Sequence, residues 1–214
     1  MEVMVLNTKD VSYLEKDLLK DGQLIAVSFD KIKNTPQEDI SLFCVKNAIY
    51  QIITTELVDF VRQEIGGEIA VEIGAGNGCL GRALGIKLTD NKMQQGNDLV
   101  NEFYDKLQQT RIEYPNDVIK MAGNEAVRHY RPKVVVASWV TQKWKPGMVH
   151  GSILGVNECA FKGKIKKYIH VGNERIHGDK EILKKFPVKQ YKFPWLVSRS
   201  MHRDKNIIYV FDCK

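Results

Sequence analysis

The sequence lacks the features that would assign it to a membrane, disulfide-rich or metal-dependent class. Its four cysteines, Cys44, Cys79, Cys159 and Cys213, are scattered and form no CxxC pair. No run approaches the roughly 18 apolar residues of a transmembrane helix, and the first residues lack the basic start and apolar run of a signal peptide. We therefore expect a cytoplasmic protein with reduced thiols and no membrane partner.

Motifs of several enzyme classes are missing as well. The chain has no HxH, HExxH, serine-elbow or Walker pattern. Metal-dependent hydrolysis, acyl transfer and nucleotide hydrolysis are therefore not expected, and no metal ligand is predicted.

The charge is unevenly distributed along the 214 residues. The whole chain carries a net charge of +6, yet residues 143–214 contain 16 Lys and Arg against 6 Asp and Glu. The basic C-terminal third indicates either an acidic partner, such as nucleic acid or a phosphorylated metabolite, or a solvated lysine-rich surface.

The hydrophobic pattern divides the chain into an N-terminal extension, residues 1–66, and a domain, residues 67–214. Within the extension we expect a strand at residues 24–29. One long helix should follow from Gln37 to about Glu64, where Gly66 ends it.

Beyond the extension, short apolar segments alternate with helical patterns. This alternation predicts an α/β fold: a Rossmann-like, mostly parallel sheet with helices on both faces and a C-terminal antiparallel hairpin. The predicted strands are residues 68–73, 86–89, 118–121, 133–137, 167–171, 189–197 and 207–211, and the predicted helices are residues 79–84, 97–108, 124–130 and 178–185.

A glycine-rich turn follows the first strand of the domain. Residues 71–81 read VEIGAGNGCLG, so that a strand ends, glycines turn sharply and a helix begins. Glycine lets a ligand approach the backbone and permits positive φ, while the helix N-terminus offers free N–H donors. In an open α/β sheet this edge is where ligands bind.

Two motifs overlap in this turn. Gly76-x-Gly78-x-x-Gly81 fits the dinucleotide-binding fingerprint, whereas Glu72-x-Gly74-x-Gly76-x-Gly78 resembles the first motif of class I S-adenosylmethionine-dependent methyltransferases. The acid at the strand end favours the methyltransferase motif, because it would repel a pyrophosphate but not an ammonium group. The position of the turn behind a helical extension and the expected C-terminal hairpin also resemble that family. A nicotinamide or flavin protein and a glycine turn without a ligand are the alternatives.

The resemblance covers about residues 37–214 and implies that S-adenosylmethionine is the cofactor. It implies that Asp90, at the end of the second strand, holds the ribose hydroxyls; the alternative is that Asp90 caps a turn with Asn91. The turn residues would hold the methionine part of the cofactor, namely Glu72, Gly74, Ala75, Gly76, Asn77 and Gly78.

The resemblance also assigns residues of later segments to the adenine and to the methyl acceptor. Met121 or Ala122 would pack on the adenine, although Met121 is equally consistent with a core residue. Ser138 matches the first position of the family's Asp/Asn/Ser-Pro-Pro-aromatic motif, but the prolines are absent. Trp139 and Lys143 are the predicted acceptor-binding residues, with a core role as the alternative for Trp139.

Three functions are consistent with these residues. A methyltransferase acting on a small molecule is favoured, because 214 residues leave little room for a recognition domain. A nucleic-acid methyltransferase would use the basic C-terminal third, and a non-catalytic binding module would keep only the fold. Methyl transfer depends mainly on proximity and alignment, so no catalytic residue is assigned.

Overall fold

The computed structural model describes residues 9–214, and what was expected of residues 1–8 lies outside that range. Its helices are α1 (Glu15–Leu18), α2 (Gln37–Lys46), α3 (Thr55–Ile65), α4 (Cys79–Leu84), α5 (Asp98–Lys106), α6 (Gly123–Tyr130) and α7 (Glu174–His177). Its strands are β1 (Leu19–Lys20), β2 (Gln23–Leu24), β3 (Gln51–Ile52), β4 (Ala70–Ile73), β5 (Lys87–Asp90), β6 (Ile119–Lys120), β7 (Val134–Ser138), β8 (Lys167–Asn173), β9 (Val188–Tyr191), β10 (Val197–Ser198) and β11 (Asn206–Asp212). Within residues 9–214, no helix has the length and apolar character that crossing a bilayer requires.

Seven strands form the central sheet, in the order β6-β5-β4-β7-β8-β11-β9. Neighbours from β6 to β8 run parallel, and β11 pairs antiparallel with both β8 and β9. Apart from β11, this is the doubly wound order 3-2-1-4-5-6. The α/β, Rossmann-like fold and the C-terminal antiparallel hairpin are confirmed.

Hydrophobic residues cover both faces of the sheet. Along β7, Val134 and Val136 face one core while Val135 and Ala137 face the other, and all four are buried. The first core also contains residues of α1, α2 and α3. The described part of the N-terminal extension, residues 9–66, therefore packs directly on the sheet and shares a continuous core with it.

The single long helix expected at residues 37–64 is wrong, because the chain breaks between α2 and α3. Ala48 adopts a left-handed φ of 52°, and β3 then pairs with β10. The run of β-branched residues at positions 52–55 favours extended backbone over helix. The hydroxyl of Thr54 accepts a hydrogen bond from the backbone N–H of Leu57 at 3.2 Å and so starts α3 afresh. The break directs residues 48–53 toward the carboxyl edge of the sheet.

Three further boundaries differ from expectation. The helix expected at residues 178–185 is replaced by α7 and a 3-10 turn at Glu181–Lys184, because the intervening Lys180 is extended and buries its side chain. The strand expected at 189–197 stops at Tyr191, before Pro194, which has no N–H for a ladder. The strand expected at 24–29 is reduced to β2, and a 3-10 turn begins at Phe29.

Candidate ligand-binding site

A cavity of about 300 Å³ opens at the carboxyl ends of β4, β5 and β7. Its walls come from the glycine turn, the segment after β5, the segment after β7 and the break between α2 and α3. Most residues expected to bind the cofactor converge there. The cavity is lined by Glu72, Gly74, Ala75, Gly76, Asn77, Asp90, Ala122, Ser138 and Trp139, among others.

Two glycines of the turn have different reasons to lack a side chain. At Gly74, whose φ is 60°, a Cβ atom would lie 2.4 Å from Cγ2 of Val140, so the backbone packs too closely for any side chain. At Gly76, whose φ is 55°, the nearest atom to a Cβ would be Cδ1 of Ile112 at 3.4 Å. Gly74 thus serves packing, while Gly76 leaves space open at the cavity wall.

Three predicted residues lie elsewhere. Gly78 does not line the cavity, and a Cβ there would approach Arg82 and Leu88 at 3.0 Å, so its role is packing. Met121 packs against the core on the α6 side, as its alternative interpretation held. Lys143 lines a neighbouring groove instead of the cavity.

Glu72 is a buried acid at the floor of the cavity. Its Oε2 accepts a hydrogen bond from the backbone N–H of Gly81 at 2.9 Å. Burial raises the pKa of the Glu72 carboxyl to about 8, because removal from water penalises the charged form. The nearby Asp90 raises it further. Near neutral pH the group is therefore mostly protonated, and a cation beside it would favour ionisation.

Asp90 braces the glycine turn from the end of β5. One carboxylate oxygen accepts from the N–H of Gly76 at 2.9 Å, and the other from the N–H of Lys92 at 2.7 Å. Burial raises the pKa of Asp90, and these two hydrogen bonds oppose that effect. A carboxylate has about four acceptor sites, so Asp90 can accept further hydrogen bonds from a ligand while it holds the turn.

The cavity wall has acidic side chains and no basic ones. Glu72 and Asp90 are the acidic residues of its lining, and among the residues the structure describes no Lys, Arg or His contributes to the wall. The site therefore suits a neutral or cationic ligand, beside which Glu72 can ionise, and it offers a phosphate no basic side chain.

Trp139 follows β7 in a left-handed conformation, with a φ of 57°. An aromatic residue rarely adopts this conformation, which costs of order 1–3 kcal/mol and occurs mainly at functional sites. Its backbone N–H donates to the carbonyl of Val171 at 2.8 Å, and its indole N–H donates to Oε1 of Gln51 at 3.1 Å. The ring also contacts Tyr50 and His177. The surrounding contacts thus fix Trp139 as a rigid part of the cavity wall.

A set of polar residues at the cavity was not predicted from the sequence. The hydroxyls of Tyr50 and Tyr104 are 2.8 Å apart, and the Gln94 amide donates to Tyr104 at 2.8 Å. The guanidinium of Arg199 lies 4.6 Å from the centre of the Tyr50 ring. The run of β-branched residues after Gln51 was the available signal, because it argues against a helix that would carry Tyr50 away from the site.

A buried network of an ion pair and hydrogen bonds holds Val140, a residue of the cavity wall. The Lys180 ammonium donates to Glu158 at 2.6 Å and to the carbonyl of Val140 at 2.7 Å, and the Tyr168 hydroxyl donates to Glu158 at 2.5 Å. Burial lowers the pKa of Lys180 and lowers that of the neighbouring His177 to about 3. The network anchors Val140, the residue that packs against Gly74.

Comparisons with known proteins give no family. Neither a family model nor a curated protein matches this chain. Among solved structures it is similar to the crystal structure of Thermoplasma acidophilum 1320, with 14% identity, coverage of 85% of this chain and 97% of that chain, and a TM-score of 0.36. A likeness of this degree carries no argument about activity.

Within residues 9–214, no group of three or more His, Cys, Asp or Glu residues is placed to hold a metal ion.

Proposed function

We propose that this protein is a cytoplasmic, S-adenosylmethionine-dependent methyltransferase. The observation that carries the proposal is the glycine turn beside a cavity whose wall contains the acidic residues Glu72 and Asp90 and no Lys, Arg or His among the described residues. The cytoplasmic location rests on the four free cysteines, of which Cys44, Cys79 and Cys213 are buried.

The charge of the cavity favours one of the two motifs that overlap in the glycine turn. S-adenosylmethionine carries a sulfonium, an ammonium and a carboxylate group, and its two cations are attracted to Asp90 and favour ionisation of Glu72. A dinucleotide would instead place its doubly charged pyrophosphate beside Asp90 and a protonated Glu72, in a wall that supplies no basic side chain among the described residues. This contrast supports the methyl donor over a nicotinamide or flavin cofactor.

Residues assigned to each part of this cofactor line the same cavity. The methionine part would lie at Gly76 and Ser138, the ribose at Asp90 and the adenine at Ala122, all of which line one continuous space. The methyl group would then face Trp139 and Tyr50. In the transfer, a lone pair of the acceptor attacks the methyl carbon, the carbon–sulfur bond breaks, and its electron pair stays on sulfur. Any proton that the acceptor must lose passes to solvent.

Isothermal titration calorimetry with S-adenosylmethionine, S-adenosylhomocysteine and NAD tests the cofactor. We expect micromolar binding of the first two and none of NAD. Tight NAD binding without binding of S-adenosylmethionine would contradict the proposal.

Radiolabelled methyl transfer to cell-extract fractions tests catalysis. Label incorporation identifies an enzyme, and cofactor binding without incorporation in any fraction would indicate a non-catalytic module. Nuclease treatment of the fractions distinguishes a nucleic-acid acceptor from a small molecule.

A further inference from the structure

A groove of about 730 Å³ adjoins the cavity and has the opposite charge. The cations Arg128, Lys143, Lys145 and Lys164 line it, and no Asp or Glu of the described chain contributes to its wall. Lys164 therefore faces the same groove as Lys143.

Three of the four cations are available to a ligand. Lys145 forms an ion pair with Glu181 at 2.6 Å. Arg128, Lys143 and Lys164, in contrast, have no ion-pair partner among residues 9–214. Three unpaired cations in one concave surface attract an anion with several charges.

Apolar side chains lie among these cations. The indole of Trp144 is 42% exposed, and Ile153 and Leu154 are also exposed in the groove wall. An exposed aromatic ring between cations is the arrangement that binds single-stranded nucleic acid, because bases stack on the ring while phosphates meet the charges. A single phosphate group would leave the apolar wall of the groove unused.

The groove and the cavity share part of their walls. Asn91, Ala122, Asn124, Leu154 and Gly155 line both spaces. A strand held in the groove would therefore lie next to the cavity, whose wall has aromatic rings and, among the residues the structure describes, no Lys, Arg or His.

We propose that the groove binds single-stranded nucleic acid and that the methyl acceptor is a base of that strand. The second part rests on the proposed methyltransferase function, whereas binding to the groove does not. The length of the chain favoured a small-molecule acceptor; the unpaired cations and exposed indole of the groove favour the nucleic acid.

Fluorescence anisotropy with labelled 12-nucleotide single strands, titrated with salt, tests the groove. We expect the logarithm of the binding constant to fall with the logarithm of salt concentration with a slope of about −2, roughly 0.7 for each of three phosphates. Lys143→Ala with Lys164→Ala should reduce the steepness by about 1.4 and weaken binding about tenfold or more. Trp144→Ala should weaken binding about tenfold, the order expected for losing one stacked base.

The double variant Lys166→Ala with Lys167→Ala is the matched control. It removes two positive charges, as the double variant of Lys143 and Lys164 does. These lysines pair with Glu68 and Glu64 away from the groove, at 2.6 and 2.7 Å. The control should leave binding unchanged. Equal weakening by both double variants, a flat salt response, preference for duplex, or equally effective competition by inorganic phosphate would overturn the proposal.

Calorimetry with S-adenosylmethionine on the same variants separates the two proposals. Each variant should bind the cofactor as the wild type does, which also shows that it is folded. Cofactor binding without oligonucleotide binding would refute the groove alone, and oligonucleotide binding without cofactor binding would refute the methyltransferase alone.

Discussion

Replacing Glu72 by glutamine should change the pH dependence of cofactor binding. Burial raises the pKa of Glu72 to about 8, so the unliganded protein holds the carboxyl mostly protonated at pH 6. Glutamine is close in shape to that protonated acid and keeps an oxygen for the N–H of Gly81. Glu72→Gln therefore removes the ability to ionise with little change in packing.

The magnitude follows from the pKa of the wild type. At pH 6, ionising a group of pKa about 8 costs about 3 kcal/mol, since each pH unit corresponds to roughly 1.4 kcal/mol. A cation beside Glu72 gains its full interaction only above this pKa. The ratio of wild-type to Glu72→Gln affinity for S-adenosylmethionine should therefore rise roughly tenfold per pH unit from pH 6 to pH 8 and then level off. Taking the ratio cancels the titration of the ligand itself.

The free energy of unfolding of the unliganded wild type should fall as the pH rises, whereas its relative affinity for the cofactor rises. The pKa of Glu72 is raised from 4.5 in the reference state to about 8 in the folded state, so the folded state binds the proton more tightly. The wild type then loses up to about 5 kcal/mol from this group as pH rises from 4.5 to 8, and Glu72→Gln does not. Urea unfolding of both at pH 5 and pH 8 measures the difference.

Glu68→Gln is the control for both experiments. It makes the same chemical change just before the start of β4, where the Glu68 side chain is partly exposed and pairs with Lys166. Both its affinity and its stability should follow the wild type across this range. A pH-independent affinity ratio for Glu72→Gln would refute the placement of a cation beside Glu72.

Three other variants test the remaining features of the site. Gly76→Asn should weaken cofactor binding at least about tenfold with little change in Tm, because Asn tolerates positive φ but fills the cavity wall; Gly67→Asn, at φ 76° in open space, is the control measured beside it. Trp139→Phe should lower kcat/KM for the acceptor while calorimetry finds the cofactor Kd unchanged, because the Phe ring loses the bond to Gln51 at the acceptor side. Lys180→Met should cost about 3–5 kcal/mol in urea unfolding, since Glu158 is left buried without its cation, and adding Glu158→Leu should recover much of that loss.

The sequence predicts those parts of the fold and site that depend on local order along the chain. The strand, glycine turn and helix at residues 70–84 follow from apolar residues and glycines in sequence. Asp90 could be placed because the ends of parallel neighbouring strands meet at one edge. These residues needed no knowledge of distant contacts.

The aromatic wall could not be predicted in the same way. Tyr50 and Gln51 reach the cavity because β3 pairs with β10, whose residues lie about 146 positions later in the chain, as the Gln51–Val197 bond illustrates. Apolar residues recur at spacings of three to five on both sides of the break between α2 and α3. Their pattern therefore predicts one continuous helix. The β-branched run and the Thr54 cap were the local evidence against it, and periodicity outweighed them in the prediction.

Counting charges along the chain failed for a related reason. The excess of lysine after residue 142 predicts a basic surface but not which lysines are free. Lys145, Lys166 and Lys167 form ion pairs with acids at 2.6 to 2.7 Å, so they add little to the local potential. Lys143 and Lys164, about twenty residues apart, are brought to one groove by the fold.

The acidic cavity and the basic groove meet across a few shared residues. A ligand that spans both must therefore present its cationic or neutral part to the cavity and its anionic part to the groove, as a methyl donor beside a phosphate-linked strand would do.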